Sequence, residues 1–71
     1  MKYVIFPHYT KIEGELIKTY GIIYFGRDKL IKIVKDVSVS RSEVKKLVKD
    51  LNEYKVELVH LYDIIEDFLY Q

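Results

Sequence analysis

His60, Asp63 and Asp67 are the side chains in this sequence whose types and spacing suggest chemistry first. At 100° per residue they lie within about 60° of one another on a helix, close enough to converge on a divalent cation. His60 with Asp63 also has the makings of an acid/base pair. The ordinary reading of these residues is a solvated helix face, and neither role has further support along the chain. No cysteine nucleophile or thiolate ligand exists, no glycine-rich phosphate loop, and no serine in a nucleophile elbow. Ser38, Ser40 and Ser42 cluster where a helix begins, which is capping work. The expectation is a protein that is not an enzyme and carries no cofactor and no metal.

Lys18, Tyr20, Tyr24 and Lys32 form a second constellation. Alternating along strands, they share one sheet face, and lysine-flanked aromatic rings can stack unpaired bases. Leu16, Ile22, Leu30 and Val34 share that face and favour a protein contact over a nucleic-acid one. Duplex DNA is opposed by charge. A second helix over residues 57–71 carries four carboxylates and no Lys or Arg, so phosphates would repel it from the major groove. His8, beside Pro7 and Tyr9, reads as a strand or turn residue with no identifiable partner.

The elements that must hold these residues follow from periodicity. Lys2 to Phe6 is rich in β-formers, and Pro7, lacking an N–H, suits an edge strand or a turn. Pairing that resumes through Tyr9 to Ile12 meets Glu13-Gly14, a natural two-residue turn into Glu15 to Phe25. Gly26-Arg27-Asp28 is the next turn, and Lys29 to Val37 is the third strand. Period two places Ile17, Thr19, Ile23 and Phe25 on one face of the second strand, and Leu16, Lys18, Tyr20, Ile22 and Tyr24 on the other. The third strand repeats this, with Ile31, Ile33 and Val37 set against Leu30, Lys32, Val34 and Asp36.

Ser40 and Glu43 have the spacing of a capping box, and Val39 and Val44 that of a hydrophobic staple, so a helix starts at Arg41. Val44, Leu47, Val48 and Leu51 give it an apolar stripe, ending near Asn52 to Lys55. A last helix begins near Glu57. Its residues Leu58, Leu61, Tyr62, Ile65, Phe68 and Leu69 fall in a sector about 120° wide, with His60, Asp63, Glu66 and Asp67 opposite. The predicted fold is one α+β domain over residues 1–71, a three-stranded antiparallel meander (1–38) followed by an αα-hairpin (40–71), in the order βββαα.

Two helices cover one face of a sheet. The expectation is that they pack on Ile17, Ile23, Ile31 and Ile33, leaving Leu16, Lys18, Tyr20, Ile22, Tyr24, Leu30, Lys32 and Val34 as an interaction surface. A chain of 71 residues without disulfides is near the lower limit for a self-sufficient core. A homodimer or other small homo-oligomer is therefore expected, with an unidentified protein partner as the other occupant. The expected role is non-enzymatic protein–protein interaction or self-association; the alternative is single-stranded nucleic-acid binding through the Lys/Tyr face. Charge is polar along the chain: residues 1–49 hold eleven Lys/Arg against five Asp/Glu, and residues 50–71 hold one against six. No stretch reaches the ~20 apolar residues of a membrane span, and no secretory leader is visible, so a cytoplasmic location is expected. The abundance of Ile, Lys and Tyr without alanine fits a thermophile and an AT-rich genome equally.

Tyr20-Gly21-Ile22, Asp36-Val37-Ser38, Val44 to Leu51, His60-Leu61 and Asp63 to Leu69 together resemble an uncharacterised family of small Firmicutes proteins. Its members share a Tyr-Gly-Ile strand and a C-terminal His-Leu-x-Asp-(Ile/Val)2-Glu-Asp-Phe helix. The resemblance runs from Tyr20 to Leu69 and departs at Leu58, where the family often has proline. It implies a short single-domain protein and carries no activity, ligand or site residue with it.

Overall fold

Three strands and two helices follow one another along the chain, in the predicted order. The computed structural model describes residues 2–27 and 29–70. Strand β1 (Lys2–Ile12), β2 (Glu15–Phe25) and β3 (Leu30–Ser38) form one antiparallel sheet in the order β1-β2-β3. Helix α1 (Arg41–Glu53) and helix α2 (Leu61–Leu69) follow, α2 being preceded by a single 3-10 turn (Leu58–His60). The shortest dimension of the molecule is 19 Å, the thickness of one sheet layer and one helix layer.

The first hairpin closes on Glu13 and Gly14, both left-handed, at φ 49° and 84°. Two positive φ angles match the right-handed twist of the flanking strands, as the two-residue turn requires. β1 continues through Pro7, which pairs with Tyr20. The main-chain N–H and C=O of Tyr3 both bond to a residue outside the sheet, so Tyr3 faces the free edge. Two-residue periodicity points Pro7 the same way, where a missing N–H removes no ladder bond. Gly26 N–H donates to Lys29 O at 3.0 Å at the second turn; Asp28 lies outside the described residues.

β3 does not keep the alternation that its sequence suggests. Ile22 pairs with Val34 while Tyr20 pairs with Ser38, so Lys35, Asp36 and Val37 bulge opposite Gly21. Asp36 sits at φ 55° in the bulge. The two extra residues leave Val34 and Ser38 on the same face, but the left-handed Asp36 between them breaks the alternation, and Val37 turns into the core at 5 % exposure instead of joining Ile31 and Ile33. Gly21 is required here, because a Cβ at that position would lie 2.1 Å from Val34 O.

Ser40 caps α1, its Oγ accepting from Glu43 N–H at 3.4 Å. The other half of the expected capping box is replaced: Ser40 N–H donates to Ser38 Oγ at 3.0 Å rather than to Glu43. Val39 stays exposed while Val44 is fully buried, so the expected staple is not built. At the C-terminus Val56 N–H bonds to Leu51 O and Lys55 N–H to Asn52 O, with Lys55 at φ 49°. This pair of bonds is a Schellman motif, with a lysine where glycine is usual.

After the 3-10 turn, α2 turns to the core a face shifted from the predicted stripe. Leu61 and Ile65 are buried and Ile64 and Phe68 partly so, whereas Tyr62 and Leu69 remain exposed on the flank. The core joins Tyr3, Ile22, Tyr24 and Val37 from the sheet to Val44, Leu47, Val48 and Leu51 of α1 and to Leu61 and Ile65 of α2. No helix among the described residues is long and apolar enough to cross a membrane.

Candidate interaction surface

The helices cover the face opposite to the one expected. Ile22 is completely buried and Tyr24 is 8 % exposed, while Tyr20 and Val34 pack at the margin of the same core. Half of the eight residues assigned to association from the sequence thus lie in or against the domain's own core. Leu16 and Leu30 stay exposed at the ends of their strands. Lys18 reaches back over the rings of Tyr9 and Tyr20, with Nζ 5.7 and 5.8 Å from their centroids, and Lys32 Nζ lies 5.2 Å from the ring of Tyr62. Both lysines border the core by this means, their stems covering apolar surface and their charges facing ring π-systems.

A polar clamp between β1 and the end of α1 fixes this choice of face. Tyr3 N–H donates to Asn52 Oδ1 at 2.7 Å and Asn52 Nδ2 donates to Tyr3 O at 2.8 Å, so a side-chain amide takes the place of a neighbouring strand. The Tyr3 hydroxyl donates to Val56 O at 2.7 Å, and its ring packs on Tyr24 with centroids 4.8 Å apart. Burial raises the pKa of the Tyr3 phenol above its ordinary 10.0, and the neighbouring Tyr24 adds to the effect. Nothing in the residue types marks Asn52 in advance. It sits in the last turn of a helix whose partner strand lies 49 positions away in sequence.

Among the described residues no element covers the other face. Val4, Ile23 and Ile33 form a cross-strand row, joined by Phe6, Ile17, Phe25 and Ile31. Ile31 and Ile33 are 45 % and 37 % exposed, and the others are half-buried by one another rather than by a covering element. Near the centre Thr19 is buried, and its hydroxyl donates to Asp36 Oδ1 at 2.5 Å, with His8 O a secondary acceptor at 3.3 Å. His8 lies in β1 and stacks on Phe6, ring centroids 5.7 Å apart and planes 19° from parallel. The bulge in β3 brings Asp36 to Thr19, so strict alternation along β3 conceals this contact.

His60 falls in the 3-10 turn, while Asp63 and Asp67 fall in α2. Among the described residues no three His, Cys, Asp or Glu side chains come together in a group able to hold a metal ion. Asp67 instead borders a cleft of about 380 Å³ between the helices, lined also by Glu43, Lys46, Leu47, Asp50, Ile64 and Phe68.

A three-stranded antiparallel meander with two helices on one face and an apolar second face defines a small α+β domain with one unpartnered side. The chain belongs to a family of unknown function, DUF6514, whose model matches residues 1–71, the meander as well as the segment from Tyr20 onward. No curated protein and no solved structure matches it.

Proposed function

We propose that the protein is a non-enzymatic interaction domain, working in the cytoplasm, that docks a protein on the bare face of its sheet. The observation that supports this is the row Val4, Ile23 and Ile33 with its aromatic neighbours, left uncovered although both helices are already used on the opposite face. Contiguous apolar surface of this kind is characteristic of protein contacts. A photoreactive phenylalanine derivative placed at Ile33 in living cells should give light-dependent protein adducts. The same group at Tyr54, exposed on the helical side, should not. Absence of protein adducts from position 33 removes the reading.

Single-stranded nucleic acid is the second reading, now confined to the uncovered end of the other face where Lys18 lies between Tyr9 and Tyr20. Tyr24 is beneath the helices and out of reach of a base. A labelled oligonucleotide whose mobility is unchanged by the protein at low ionic strength ends this alternative.

A further inference from the structure

We infer that the occupant of the bare face is a second copy of this chain, stacked face to face about a two-fold axis that lies in the interface and runs across the strands. The inference rests on the docking role of that face and names what docks there.

Three arguments point to a second copy. The first is area. Strands up to 11 residues long make a face of roughly 35 by 15 Å, on the order of 500 Å² in projection and more with side-chain relief. Specific interfaces take about 800 Å² per partner, so only an occupant that spans the whole face approaches that size. Another copy of the same sheet does so, at the ~10 Å spacing of stacked sheets.

The second argument is that the sheet edges are poorly suited to association. Asn52 occupies the β1 edge at Tyr3, Pro7 offers no N–H there, and the β3 edge is broken by the bulge at Asp36. Lateral pairing needs a continuous run of free donors and acceptors, and both edges interrupt it. Stacking needs only the face. Thr19 near its centre already has its hydroxyl satisfied within the protomer, so covering it leaves no donor unpaired.

The third argument is charge, and it sets the orientation. Lys2 pairs with Phe25 on the bare face, and Arg27 and Lys29 lie in the adjoining turn, outnumbering Asp28 in that stretch of sequence. At the opposite end Glu15 pairs with Ile12 on the same face, next to Glu13 in the turn, while Lys11 pairs with Leu16 on the other face. An axis along the strands would set like ends on each other. An axis across the strands sets the basic end of each copy over the acidic end of the other, twice per dimer, which is the self-complementary arrangement two-fold symmetry demands.

The test uses the full chain, whose lack of cysteine makes engineered thiols unambiguous. Light scattering coupled to gel filtration should show a dimer at high micromolar concentration. Ile33→Lys should raise the dissociation constant on the order of a hundredfold with an unchanged circular dichroism spectrum. For orientation, Lys2→Cys and Glu15→Cys chains are mixed and oxidised: the mixture should give a disulfide-linked pair, and neither variant alone should. These cysteines lie at exposed strand ends, so the readout does not depend on the core tolerating a substitution. Cross-linking of Lys2→Cys to itself overturns the proposed axis. A monomer throughout, with adducts from position 33 only to a different protein, overturns the second copy and leaves the docking face standing; a monomer with no adducts removes both.

Discussion

Ile5, Ile22 and Val34 lie in a row across the three strands on one face of the sheet, and Val4, Ile23 and Ile33 lie in the adjacent row on the other. Each row is three aliphatic residues, one per strand, yet Ile22 is fully buried and Ile33 is 37 % exposed. Hydrophobicity therefore does not select the covered face. Directional contacts beside the first row do: the Asn52 amide on the Tyr3 backbone, the Tyr3 hydroxyl on Val56 O, and the bulge that turns Val37 inward. Polar groups buried at the sheet edge must find partners, and the end of α1 and the residues after it supply them here.

Truncating the two rows should separate them most sharply. Ile22→Ala is expected to cost about 3 kcal/mol in urea unfolding, because it leaves a cavity under α1. Ile33→Ala, measured at concentrations too low for association, should cost less than about 1 kcal/mol. Equal losses from the two substitutions would abolish the distinction between the faces.

Removing the clamp should have the next largest effect. Asn52→Ala deletes both hydrogen bonds to Tyr3 and is expected to lower stability by about 2 kcal/mol, with faster amide exchange at Tyr3. An unchanged unfolding midpoint would mean that apolar packing alone selects the face.

Tyr3→Phe should cost about 1 kcal/mol at neutral pH by leaving Val56 O without its donor. It should also change the alkaline limb of the stability curve. The folded phenol keeps its proton to higher pH than the unfolded one, whose value is 10.0. Above that value the unfolded state holds fewer protons, so this contribution is complete below pH 10.0 and is lost as pH rises through the folded pKa. Thermal melts from neutral to strongly alkaline pH should fall more steeply for the wild type than for the variant.

The smallest expected effect is a gain. Lys55→Gly relieves a left-handed lysine at the end of α1 and should stabilise by about 0.5–1 kcal/mol, raising the melting temperature without altering the clamp. A fall instead would show that the lysine side chain contributes more than its backbone strain costs.

Much of the fold was legible in local patterns. Glu13-Gly14 announced the first hairpin, Ser40 the start of α1, and Val44, Leu47, Val48 and Leu51 its buried stripe. Each depends on neighbours within a few residues, where turn geometry and helical period act directly on residue type. The helices cover the face opposite to the expected one because period two separates two sets of side chains without saying which set is inward. The grouping of His8, Thr19 and Asp36 is not legible from spacing because the left-handed Asp36 breaks strict alternation inside the bulge between Val34 and Ser38.

The sequence by itself determined the order of elements, the turns, the cap of α1 and the existence of two apolar sheet faces, all consequences of short-range stereochemistry. Only the tertiary structure decided which face is core and which is left uncovered. That choice rests on hydrogen bonds between Tyr3 and residues 49 and 53 positions away, and on a β-bulge accommodated by Gly21. Interactions over such separations depend on chain packing in three dimensions, and no local spacing of residue types encodes them.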